Sequence, residues 1–175
     1  DHRDLHSFPT RRSSDLAYED FATFKAVDKA VIVYESVWKH TQMMAEALAE
    51  GMGRNGICVK IFKCSMTSPA IIQKELLDAK AVLVGSGNYN NAMAGSIAAF
   101  LEKLITCKVK NKKGLGFGSY GWANLVTKEI NARLEKAGIT LLNDEVVSQN
   151  YTPSEADLDA LMELGKQIAE EIKAM

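Results

Sequence analysis

The chain has 175 residues, 47% hydrophobic and 25% charged, which is enough apolar material for one domain with a sizeable core. A net charge of −1 gives no electrostatic reason to expect a nucleic acid or an anionic membrane as partner, and no apolar run approaches the ~20 residues that span a bilayer. Three cysteines, Cys58, Cys64 and Cys107, are an odd number at spacings that make no disulfide framework and fit a reducing cytoplasm. Cys58 and Cys64 stand an even number of residues apart on one predicted strand, so they are expected to share a face as buried thiols.

Residues 1–16, DHRDLHSFPTRRSSDL, have no initiator Met and no periodicity. They resemble the translation of a common short-read sequencing adapter over the whole segment, so they are expected to be an artefactual tail outside the folding unit. His2, His6, Arg3, Arg11 and Arg12 are accordingly left out of any site. The same reading leads to the expectation that the natural protein continues upstream of Ala17 and that the chain is a fragment. Residues 17–29, AYEDFATFKAVDK, read as a linker remnant before a domain over 30–175.

From there strand and helix patterns alternate. The first strand is predicted at Ala30–Tyr34 and the first helix at Thr41–Arg54, stopped by Asn55-Gly56. A second strand follows at Cys58–Lys63, then a helix from Ser68-Pro69 to Leu77, with Ser at the N-cap and Pro at the first helical position. The third strand, Ala81–Ser86, is almost wholly apolar, and a helix is expected at Gly95–Thr106. Lys113–Phe117 is the fourth strand, Ala123–Ala137 the fourth helix closed by Gly138, and Thr140–Val147 the fifth strand. Ser154-Glu-Ala-Asp157 resembles a capping box and opens a helix that runs to the C-terminus.

This alternation predicts a doubly wound α/β sandwich with a five-stranded parallel sheet in the order 2-1-3-4-5. Strands 1 and 3 are continuous apolar runs, as expected for central strands covered on both faces. In that order the loops after strands 1, 3 and 4 converge at the switch point, where ligands bind at the carboxyl ends of the strands.

Those three loops carry the unusual residues. The first, Glu35 to Thr41, places the Ser36 and Thr41 hydroxyls beside Val37, Trp38, Lys39 and His40 at the start of a helix. Backbone N–H groups and the positive end of the helix dipole make such a junction an anion site. Lys39 and His40 add positive charge; His40 is read as a surface loop residue rather than an acid/base catalyst. Trp38 fits either a loop anchor or a wall beside a planar ring. The second loop, Gly85-Ser86-Gly87-Asn88-Tyr89-Asn90-Asn91, tolerates unusual backbone angles and close approach of backbone to a ligand. The third, Gly118-Ser119-Tyr120-Gly121-Trp122, carries two aromatics around a glycine, a pattern with something to cover. The chain has neither GxGxxG nor GxxxxGK[ST], and no Ser-His-Asp or metal-ligand spacing, which speaks against dinucleotide, P-loop and hydrolase chemistry.

With their flanks (Val31–Met52, Asp78–Asn91, Phe100–Leu104, Lys110–Trp122 and Tyr151–Ala169), the loops resemble the flavodoxin-like domain of flavodiiron proteins. The resemblance covers essentially all of Phe21–Met175. It implies a three-layer flavodoxin-like sandwich and non-covalently bound FMN. Ser36 to Thr41 would line the phosphate and ribityl chain, and Asn88 to Asn91 with Ser119 to Trp122 would border the isoalloxazine, with Ser86 and Gly87 at the head of the second loop. It implies an electron donor such as rubredoxin or a flavin or rubredoxin reductase. The implied acceptor is a diiron centre on a metallo-β-lactamase-like domain preceding this one. His40 is the only histidine outside residues 1–16, so the chain as given is expected to lack that centre and its oxygen or nitric oxide reductase activity. The sequence departs from the family pattern at Gly87-Asn88, where Pro-Thr is usual, near Gly95, where a Pro is frequent, and at Ala123-Asn124-Leu125, where glycines are frequent. Two other readings remain: an NAD(P)H-dependent flavin or quinone reductase on the same fold, and a flavin-free interaction module. A monomer or weak dimer is expected.

Overall fold

The structure is a computed structural model that describes residues 26–109, 111–143 and 145–175. The adapter-like segment 1–16 and residues 17–25 lie outside the described residues. A parallel sheet in the order β2-β1-β3-β4-β5 forms the middle layer, built from β1 (Val27–Glu35), β2 (Cys58–Lys63), β3 (Ala79–Ser86), β4 (Lys113–Tyr120) and β5 (Thr140–Leu141); β6 (Val147–Asn150) also pairs with β4. The crossovers are α1 (His40–Arg54), α2 (Pro69–Leu77), α3 (Gly95–Cys107) and α4 (Val126–Lys136), and α5 (Glu155–Lys173) closes the chain. This is the flavodoxin-like order expected from the sequence.

Alternation on the central strands divides the core. Ala30, Ile32 and Tyr34 of β1, with Leu83, Leu115 and Phe117, pack under α1 and α5. Val31 and Val33, with Val82 and Val84, pack under α2, α3 and α4. Both faces are covered, so the central strands read as unbroken apolar runs. Helices α1 and α5 approach closely because glycines face each other: a Cβ on Gly165 would lie 2.5 Å from the Leu48 carbonyl, and one on Gly51 would collide with the Met162 carbonyl. The capping box forms at α5, where the Ser154 N–H donates to Asp157 Oδ2 at 2.8 Å and the Asp157 N–H donates to Ser154 Oγ at 3.3 Å.

Four expectations change. β1 begins at Val27, so Val27–Lys29 belong to the sheet rather than to a linker. The fifth strand is two pieces: the paired residues of the first end at Leu141, and beyond it Asn143 Oδ1 accepts the Glu145 N–H at 2.9 Å, a local side-chain bond that competes with the ladder. Pairing resumes at Phe117↔Val147 and runs to Tyr120↔Asn150, which also carries β4 three residues past its predicted end. The fourth helix starts at Val126 rather than Ala123: the Ala123 carbonyl accepts from Asn88 Nδ2, and Asn124 Nδ2 donates to Ser148 Oγ at 2.6 Å, so these residues serve the loop. Cys58 is exposed, while Cys64 leaves the strand for a short 3-10 turn, Cys64–Met66, and is half-buried with its thiol donating to the Ser96 carbonyl at 3.4 Å. The two do not form a buried thiol face.

Two lysines are buried at the opposite end of the sheet from the three loops. Lys29 pairs with Glu75 at 2.6 Å and Asp78 at 2.8 Å. Lys112 has no carboxylate within bonding distance among the described residues; its ammonium donates to the Ala79 and Leu77 carbonyls at 2.5 and 3.3 Å. Burial lowers the Lys112 pKa to about 8.

Candidate functional site at the switch point

Glu35 ends β1 opposite Ser86, the last residue of β3. The loops that follow these strands and β4 therefore open on one edge of the sheet. Glu35 fixes the start of the first loop. Its carboxylate accepts from the Ser65 N–H at 2.9 Å, Ser96 Oγ at 3.1 Å and the Ser36 N–H at 3.3 Å, with Lys63 Nζ at 3.7 Å. Burial alone would raise its pKa, but these hydrogen bonds outweigh it and leave the carboxyl below its ordinary value, so it is charged at neutral pH. Lys39 then takes a left-handed conformation, φ 67°, that turns the chain into α1. The first N–H in α1 with a backbone acceptor is that of Met43, which donates to the Lys39 carbonyl at 2.9 Å. Among the described residues, the N–H groups of Trp38, Lys39, His40, Thr41 and Gln42 have no backbone acceptor. Thr41, buried behind them, lies 3.0 Å from Ser119 through the two hydroxyl oxygens and ties the first loop to the third.

The second loop is held at its neck by Ser86, whose buried hydroxyl donates to the Gly87 carbonyl at 2.8 Å and accepts from the Ala94 N–H at 3.0 Å. Its tip is a hairpin. Tyr89 and Ala92 exchange backbone hydrogen bonds at 2.8 and 3.1 Å around Asn90 and Asn91, both at positive φ (52° and 64°), the backbone of a type I′ turn. The half-buried Tyr89 bonds the Val37 backbone; burial first, then the nearby Glu35 charge, raises its pKa. Asn88 joins the second loop to the third: its N–H donates to the Ser119 carbonyl at 2.9 Å and its Nδ2 to the Ala123 carbonyl. Its Oδ1 is buried with no hydrogen-bond partner.

The loops enclose a cleft of about 240 Å³. Of the residues expected from the sequence, Ser36, Val37, Trp38, His40, Thr41, Gly87, Asn88, Tyr89, Ser119, Tyr120 and Gly121 line it. Lys39, Ser86, Asn90, Asn91 and Trp122 do not: Lys39 makes the turn, Ser86 holds the loop neck, the asparagines form its exposed tip, and Trp122 is 96% exposed. Trp38, 78% exposed, stands at the rim.

A fourth segment was missed from the sequence. Tyr151, just past β6, lines the cleft; its N–H donates to the Tyr120 carbonyl at 2.8 Å, and Thr152 Oγ1 lies 2.9 Å from His40 Nε2. The available signal was the continuation of the fifth strand from Val147 to Asn150, which brings the chain to the same edge. Among the described residues no group of three or more His, Cys, Asp or Glu is placed to hold a metal ion, and no helix is long and apolar enough to cross a membrane.

The flavodoxin family model matches residues 32–165. A nitric oxide reductase of Moorella thermoacetica is 39% identical over 156 residues, covering 89% of this chain and 39% of the relative. The solved rubredoxin oxygen:oxidoreductase of Desulfovibrio gigas superposes with a TM-score of 0.86 at 32% identity, over 93% of this chain and 41% of that one. A flavodoxin from the domain Archaea aligns with a TM-score of 0.76 at 30% identity, over 83% of this chain and 99% of its own. The chain thus spans about two-fifths of the longer relatives, 39% and 41% in these two cases. The chain belongs to the flavodoxin family, and within it matches the flavodoxin domain of flavodiiron proteins.

Proposed function

We propose that the cleft binds FMN and that the domain is an electron carrier. It would accept electrons from a rubredoxin-type donor or a flavin or rubredoxin reductase and deliver them to a diiron site on a metallo-β-lactamase-like domain outside this chain. The observation that carries the reading is the row of N–H groups without backbone acceptors, Trp38 to Gln42, at the head of α1 on a cleft lined by Asn88, whose buried Oδ1 has no hydrogen-bond partner. A phosphate needs converging donors at a helix start, and an acceptor without a donor needs an N–H. FMN offers both, a phosphate at one end and a ring N–H at the other, so the residues present fit it.

In this reading the N–H groups of the first loop and the Thr41 and Ser119 hydroxyls hold the phosphate end, and Glu35 keeps the loop in shape from behind. Asn88 orients the polar edge of the ring. Trp38 and Tyr89 limit water access to it. The flavin, when bound, supplies the redox chemistry, and the protein supplies binding, orientation and electrostatics. The names of the relatives, a nitric oxide reductase and a rubredoxin oxygen oxidoreductase, support the donor and acceptor classes. Reconstitution of the purified chain with FMN tests the proposal. One flavin per chain should co-elute in gel filtration with quenched fluorescence, Thr41→Ala should weaken uptake, and NADPH alone should leave the bound flavin oxidised. A folded chain that elutes colourless overturns the flavin reading. Reduction by NADPH without a partner protein would replace the carrier by a reductase.

A further inference from the structure

Tyr151 adopts φ 57°, a strained left-handed conformation that a tyrosine rarely takes. The surroundings hold it there from both sides. Before it, Asn150 pairs with Tyr120 in the sheet and Asn150 Nδ2 donates to the Gly121 carbonyl at 2.9 Å. After it, Thr152 meets His40 on the first turn of α1, and Pro153 is buried. The result is an aromatic side chain on the cleft wall that is nonetheless 54% exposed. Gly121 lies against the ring: a Cβ at that position would sit 3.5 Å from it, an ordinary van der Waals contact. At this strained position more than half of the tyrosine is open to solvent in the empty protein. A planar ligand in the cleft would cover that ring.

We propose that Tyr151, supplied by the β6–α5 loop, is an aromatic wall for the flavin ring, with the His40–Thr152 hydrogen bond positioning it. The sequence offered Trp38 as such a wall and placed Trp122 beside the ring; Trp38 stands at the rim and Trp122 is absent from the cleft lining. The inference rests on the FMN reading above. It predicts a ring contact that does not involve the phosphate, so Tyr151→Gly should weaken FMN and riboflavin by the same factor, about tenfold, as expected for loss of one aromatic contact. Tyr151→Phe should bind both flavins like the wild type. Glycine accepts positive φ without strain, so the melting temperature of ligand-free Tyr151→Gly should equal or exceed that of the wild type. Fluorescence titration of both flavins, with thermal melts of the empty proteins, reads all of these. Unchanged affinity in Tyr151→Gly, in a wild type that binds FMN, overturns this inference alone. So does a Tyr151→Phe variant weakened as much as Tyr151→Gly, or a loss confined to FMN. A wild type that takes up neither flavin overturns the FMN reading and this inference with it.

Discussion

Lys112 makes the dependence of stability on pH calculable at one residue. Its ammonium is buried against two carbonyls, and its pKa falls from 10.5 to about 8. In the unfolded chain the amine keeps its proton up to its ordinary value. Between the two values the unfolded state therefore binds more protons than the folded state, and unfolding free energy rises with pH. Below the folded pKa the cost of burying the charge is fully present; above the ordinary value it is gone. Integration from neutral pH to about pH 9.5 gives a gain of about 2 kcal/mol, roughly 1.4 kcal/mol per pKa unit less the part not yet titrated. Other groups in this range act in the opposite direction. Burial raises the pKa of Cys64, Tyr34 and Tyr89, and the raised pKa of Lys29 sustains stability only until it titrates at still higher pH. The measurement is therefore a difference: urea unfolding of wild type and Lys112→Met at several pH values, compared pairwise. The wild type should gain on the variant by about 2 kcal/mol over the range. Parallel pH profiles would show that Lys112 is not buried as a charge and would refute the reasoning.

Further predictions concern packing and the site. Gly165→Ala pushes a methyl against the Leu48 carbonyl and should cost about 1–3 kcal/mol in chemical unfolding without changing the flavin stoichiometry. Glu35 contributes its stabilisation fully above the ordinary carboxylate pKa and loses it as the pH falls through the lower folded value. FMN affinity should thus drop in acid more steeply for the wild type than for Glu35→Gln, as read by fluorescence titration; identical acid profiles would remove Glu35 from the loop's support. Asn88→Ala deletes one hydrogen bond and one unpartnered buried oxygen together, so the empty protein should melt within about 1 kcal/mol of the wild type. The same variant should bind FMN several-fold more weakly in the same titration, and unchanged binding would deny Asn88 its role.

The sheet was legible because its centre is covered on both faces: Val31–Val33 and Val82–Val84 are buried throughout, and no half-exposed strand gives such a run. The first loop was legible because Thr41 and the α1 start follow β1 directly in sequence. What escaped depended on contacts distant in the chain. The local Asn143–Glu145 hydrogen bond goes with a break in the fifth strand that hid β6, and with it Tyr151. Asn90 and Asn91 were expected to border the ring; the tolerance of unusual backbone angles read from the same residues is what puts them at the hairpin tip. Ser86 was counted with the lining, yet its hydroxyl is used where the Ala94 N–H returns to it. Trp122 was placed beside the ring by its position in the third loop, and it is exposed and absent from the cleft lining.

The central claim is that the unpaired N–H groups at the head of α1 hold a phosphate. Calorimetric titration of the intact chain with FMN and with riboflavin, which differs only by that phosphate, tests it directly. The account predicts one site per chain with FMN at least about tenfold tighter, a gap of about 1.4 kcal/mol that narrows with added salt. Equal affinity for the two flavins would contradict it.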